Sequence, residues 1–190
     1  MSRSVIGLGL ALAIATLPAC NKADDGNTAA NAAAKGEAKG SEGATIASGM
    51  AQDSQVLAAA KAAGLDATLA GPGPYTVLVP TNDAFGKLPA GTLESLEKPE
   101  QRGELTGLLT YHILPGVVLA EDIGKASDNA KGKAVLATMG GETVTATKEG
   151  DKIVLTDAAG GKATVVKADE KRSNGIVHEI DAVLSRGKTG

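Results

Sequence analysis

Residues 21–44 contain no Leu, Ile, Val, Met or aromatic side chain. A stretch with nothing large and apolar to bury cannot offset the entropy of ordering its backbone, so the fold is confined to the residues after it. Gly36, Gly40 and Gly43 also oppose helix in the alanine-rich parts. The stretch reads as a flexible spacer with a reach on the order of 25–30 Å. Before it, residues 1–19 carry one charge, Arg3, and an uncharged apolar run from Val5 to Leu17, too short to cross a bilayer comfortably. Setting both segments aside leaves about 145 residues, one ordinary domain with enough chain for a core. We expect that domain over 45–186, with a tail at 187–190. No internal repeat suggests a second copy.

The core must be aliphatic, because the aromatics are Phe85, Tyr75 and Tyr111 alone, with no Trp. Such scarcity argues against stacking platforms for bases or sugar rings. Removing Arg3 from the 19 basic residues leaves 18 against 22 acidic, a net charge of −4. No Lys/Arg block is long enough for a phosphate-binding stripe, so nucleic acid is not an expected partner. Cys20 is the only cysteine, which excludes an internal disulfide and a Cys-rich metal site.

The position of that cysteine is informative. Leu17 stands three residues before Cys20 and Ala19 just before it, which resembles the bacterial lipobox; Pro18 departs from the usual small residue between them. The resemblance implies cleavage before Cys20, which would then carry a thioether-linked diacylglycerol and an acylated, palmitate-type amine. Several acyl chains together hold a protein firmly where one does not. Asn21 is not the Asp linked to inner-membrane retention, so the expected destination is the outer membrane, facing the periplasm or the surface.

Within the domain, Thr45 can cap a short helix presenting Ile46 and Met50. Asp53 or Ser54 restarts a helix through Val56, Leu57 and Ala60, and Gly64 is placed to end it. Leu65 and Leu69 continue an apolar face, and residues 71–74 (GPGP) break helix. Residues 75–79 form a short β run stopped by Pro80. Thr81 can cap the next helix, with Asp83 at the positive end of its dipole. Leu105, Leu108, Leu109 and Ile113 recur at helical spacing over 100–114, followed by a strand at 117–119. Further strands are expected at 135–139, 143–147, 153–156, 163–167 and 176–184, separated by turn signals at 140–141, 149–151 and 160–161. Val144 and Ala146 alternate with threonines, the pattern of a sheet with one wet face. Helices first and strands later is an α+β arrangement.

Three segments then align with a known family. YTVLVPTNDAFGKLP (75–89), LTYHILPGVV (109–118) and NGIVHEIDAVL (174–184) resemble, in order and spacing, the first block, the central Tyr-His motif and the last block of the fasciclin domain. The resemblance covers roughly 45–186. It implies a wedge-shaped β-sheet flanked by several helices. It also implies an extracellular role in adhesion, matrix or polysaccharide contact, without enzymatic activity. In an adhesive member an Asp-Ile pair before the last block is linked to integrin recognition. Here that place reads Asp169-Glu170, so the apolar half is missing, while the Tyr-His motif is intact as Tyr111-His112.

The candidate binding residues are therefore Tyr111, His112, Asp169 and Glu170, with residues 169–172 read as a solvated loop that is also the best exposed candidate for a partner contact, because it precedes the final strand. Thr81, Asn82, Asp83, Phe85 and His178 are motif residues with expected structural roles, Phe85 as a core anchor. Ile176, His178 and Ile180 should share one face of the last strand and Val177, Glu179 and Asp181 the other. His112 and His178 could together ligate a metal with Asp83 or Asp181, or supply a general base. The stronger expectation is that each ring is hydrogen-bonded within the fold. No serine sits in a nucleophile elbow, and no phosphate-cradling glycine pattern occurs. We expect no cofactor, no metal and no catalytic residue. The expected function is an envelope-anchored module for adhesion or surface binding, with a ligand-free structural lipoprotein, or a metal-binding or hydrolytic protein, as alternatives.

Overall fold

A computed structural model describes residues 43–130 and 132–187. Cys20, the leader, the spacer up to residue 42 and the last three residues lie outside them. The first part is helical, with α1 (Ile46–Gly49), α2 (Gln55–Ala63) and α3 (Asp66–Ala70) preceding strand β1 (Tyr75–Pro80). Next come α4 (Asn82–Gly86), α5 (Thr92–Leu96), a 3-10 turn (Pro99–Gln101), α6 (Arg102–Tyr111), β2 (Ile113–Pro115) and α7 (Ala120–Asn129). The rest is β3 (Ala134–Ala137), β4 (Thr143–Glu149), β5 (Lys152–Thr156), β6 (Lys162–Arg172) and β7 (Gly175–Ile180). This is the α+β fold expected: one sheet and several helices.

The capping chemistry appears where the side chains offered it. Thr45 accepts from the Ser48 amide and Thr81 from the Ala84 amide, each satisfying a free donor in a first helical turn. Gly64 ends α2 at φ 76°, a left-handed conformation that costs glycine little. Ser54 precedes α2 but makes no capping bond. Instead Asn82, at the start of α4, accepts from the Gln55 amide at 3.1 Å and donates to the Asp53 carbonyl at 3.2 Å.

The seven strands run in the order β2-β1-β7-β6-β5-β4-β3. β1 and β7 pair in parallel, Tyr75 opposite Gly175 through Pro80 opposite Ile180, and the other pairings are antiparallel. A parallel pair must be covered on both faces. Val77, Val79 and Val177 join a cluster with Ile46, Val56, Leu57, Phe85, Leu105 and Leu109, on the face toward α1, α2 and α6. Leu78 and Ile180 join the opposite cluster with Tyr111, Ile123, Val144, Leu155 and Leu184. On β4, Val144 and Ala146 are buried between less buried threonines, as alternation predicted.

Four local expectations are corrected. The helix expected over 100–114 stops at Tyr111, and Ile113 and Leu114 pair with β1 instead. The unpaired edge of β1 claims them, because an open strand edge leaves a row of unsatisfied backbone groups. The strand expected at 117–119 is absent, since the Val118 amide donates to Thr76 Oγ1 at 2.9 Å and α7 begins two residues later. Residues 169–172 are not a loop but the end of β6, which reaches β7 through two register shifts. Finally, β7 ends at Ile180; Asp181 still bonds Thr164 of β6, and residues 182–184 leave the sheet.

Candidate functional site

The motif residues fall into two groups, those consumed by the interior and those lining a cleft. Tyr111 is completely buried. Its hydroxyl donates to the Thr143 carbonyl at 3.0 Å and accepts from the Ala158 amide at 3.1 Å, and burial pushes its pKa up. His112 is buried beside it. Nδ1 lies 2.8 Å from the Leu108 carbonyl and Nε2 accepts from the Leu184 amide at 3.1 Å, so the ring proton sits on Nδ1. Burial lowers the pKa of this ring to about 4, against weaker opposing effects from the Leu108 carbonyl and the Asp157 charge.

His178 is also completely buried. Its Nδ1 accepts from the Asp169 amide at 3.1 Å, leaving Nε2 to donate to the Val118 carbonyl at 2.8 Å. Thus all four ring nitrogens of the two histidines are hydrogen-bonded to backbone. No ring proton or lone pair of either residue is left over in this arrangement. Among the described residues, no group of three or more His, Cys, Asp or Glu is placed to hold a metal.

Asp169 sits at φ 59° and accepts from the Ala120 amide at 2.9 Å, so it caps α7 from a distant strand. Phe85 is buried in the helix-side core. Asp83 is exposed in the first turn of α4. Neither candidate pair therefore forms an exposed binding unit, because the Tyr111 and His112 rings meet edge to face in the interior and Asp169 supports a helix.

Glu170 is different. It lines an open cleft of about 240 Å³ with Asn82, Thr81, Arg172 and Glu179 around an apolar floor of Met50, Val79 and Val177. The chain leaving α1, the end of β1 and the β6–β7 pair converge here. Glu170 binds Arg172 Nη2 at 3.2 Å through Oε2, and its Oε1 pairs with Lys167. That carboxylate holds the Lys167 pKa above its ordinary value. Arg172 also reaches the Gly49 carbonyl at 3.4 Å. A second void, under Phe85, has only about 10 Å³ of space, roughly one water, and offers no room to a ligand. Sequence reasoning named Arg172 only within an exposed charged run and missed Glu179 as a cleft residue. The signal was present, since Glu170 and Arg172 are two apart and would share a face of a strand, but the charged run read as a loop.

Comparison with known proteins agrees with this architecture. The Fasciclin domain family profile matches residues 51–186. Protein sll1483 of Synechocystis is 40% identical over 139 residues, covering 73% of this chain and 70% of its own length. Transforming growth factor-beta-induced protein ig-h3 of Sus scrofa is 37% identical over 128 residues, 67% of this chain but 17% of that protein. Among solved structures, a FAS1 domain pair from the insect cell adhesion molecule Fasciclin I superposes with a TM-score of 0.50 at 25% identity, over 71% of this chain and 44% of that one.

Proposed function

This chain belongs to the fasciclin domain family, and on that footing we propose that it is a non-catalytic binding module of the cell envelope. In this reading it is held to the outer membrane by an acylated Cys20 and engages a surface macromolecule through the cleft beside Asn82 and Glu179. One observation carries the proposal. The motif Tyr111, His112 and His178 are wholly engaged by backbone partners, so recognition is left to the open cleft. The likeness to a domain pair from an insect cell adhesion molecule supports adhesion as the purpose. A single contact of this size is weak, but many copies tethered to one membrane raise the effective affinity by orders of magnitude.

The test is attachment of cells carrying the full chain. Ala51, exposed at the cleft mouth, is replaced by Trp to fill it without removing a charged group. Ala51→Trp is expected to reduce attachment to the level of a deletion strain. Undiminished attachment would sink the cleft and favour a ligand-free structural role. Mass spectrometry of the mature protein checks the anchor, which fails if Cys20 carries no acyl group.

A further inference from the structure

The charged groups around the cleft are unequally satisfied. Both Glu170 oxygens are engaged, one by Arg172 and one by Lys167. Through Nη1 and Nη2, Arg172 is held by Glu170, by the Gly49 carbonyl and by the Lys171 carbonyl; its Nε is buried without a partner among the described residues, so the guanidinium is turned to the protein and not to the cleft opening. Glu179 is not so placed. Its nearest cation is Lys167 Nζ at 4.0 Å, an ammonium already drawn closer to Glu170. No hydrogen bond reaches the Glu179 carboxylate among the described residues, and its side chain is 36% exposed. On β7 it stands opposite Val79 of β1, so it rises beside the apolar floor formed by Met50, Val79 and Val177.

We infer that this cleft receives the lysine or arginine side chain of a partner protein, its methylene stem on Met50, Val79 and Val177 and its cationic head at Glu179. A trough with an apolar floor, ending in a carboxylate that accepts no hydrogen bond among the described residues and has only a distant, shared ammonium beside it, is complementary to a long apolar stem with a positive tip. About 240 Å³ suits one side chain and falls below the roughly 300–1,000 Å³ of sites for larger small molecules. No aromatic residue lines the cleft, so it lacks the stacking surface a sugar ring or an aromatic cage for a quaternary amine would use. The inference rests on the cleft being the recognition surface and adds what it recognises.

The probes are capped tripeptides, Ac-Ala-Lys-Ala-amide with norleucine and glutamate counterparts, titrated into the full chain and followed by NMR. The lysine peptide is expected to shift the amides of residues 49–54, 79–82 and 177–179 saturably. Glu179→Gln should weaken binding about tenfold, as loss of a charge-assisted contact does. Lys167→Ala, which removes the competing ammonium, should tighten it. The inference is overturned if norleucine binds as well as lysine, if the glutamate peptide binds better, if neither variant changes the lysine affinity, or if no peptide shifts these amides.

Attachment separates this from the broader reading. Loss with both Ala51→Trp and Glu179→Gln supports both. Loss with Ala51→Trp alone keeps the cleft as the binding surface and overturns the basic side chain as its ligand. Retention in both overturns both.

Discussion

Single side chains carry much of this fold's long-range bonding. His112 ties the end of α6 to Leu184, a completely buried residue beyond the last strand. Its ring, with a pKa near 4 in the folded protein, would take up a proton near 6.5 once unfolded. The unfolded state therefore binds more protons between these values. The stabilisation is complete above pH 6.5 and is lost as pH falls toward 4, amounting to about 3 kcal/mol. Urea midpoints at pH 7 and 4.5 should show His112→Gln destabilised at pH 7 with a shallower pH dependence than wild type. Equal slopes would refute the role of this ring. Asn174 is a second such residue. It accepts from the Ile46 amide at 2.8 Å and donates to the carbonyls of Leu69 and Gly71 at 2.9 and 2.8 Å. Asn174→Ala leaves these buried groups unpaired and should cost about 2–4 kcal/mol in thermal or urea unfolding. A loss under about 1 kcal/mol would mean water replaces the amide. Asn174 sits in the turn Ser173-Asn174 between β6 and β7, a local feature, but the amide's partners lie more than a hundred residues away.

At the scale of elements, legibility followed how local the cause was. α1, α2, α4 and β1 were readable because their stops and apolar spacing, and the caps of α1 and α4, lie in or next to the element itself. α7 was not. Ile123 is its one large apolar residue on the buried side, and its first turn is capped by Asp169, 49 residues away. Asp169→Ala is expected to destabilise the protein by about 1–2 kcal/mol, through the lost cap and the strain of a left-handed alanine. Asp169→Asn should cost only a few tenths, because Asn keeps the acceptor and tolerates that conformation. Equal losses in the two variants, measured by chemical denaturation, would show that the carboxylate's charge matters and the cap geometry does not. Gly175 makes a related point at the β1–β7 junction, where a Cβ would collide with the Tyr75 carbonyl oxygen; only a residue without a side chain lets the parallel strands begin side by side.

For the domain as a unit, the sheet brings its two ends together. The Met139 amide, just past edge strand β3, donates to the Ile113 carbonyl of edge strand β2 at 2.8 Å, which covers part of an otherwise open edge. In hydrogen exchange, the Met139 amide should be protected well above the neighbouring Gly140 amide, and equal exchange would show that the edges separate in solution. From the sequence alone came the α+β class, the Thr45 and Thr81 caps, the alternation on β4 and the resemblance that proved to be family membership. These depend on local periodicity and short motifs, which a chain displays without folding. Only the tertiary structure decided that Tyr111 and His112 face inward, that Asp169 caps a helix, that 113–115 form a strand, and that Glu170, Arg172 and Glu179 share a cleft. Each of those depends on which distant backbone groups need a partner, and such needs exist only once the strands are in register.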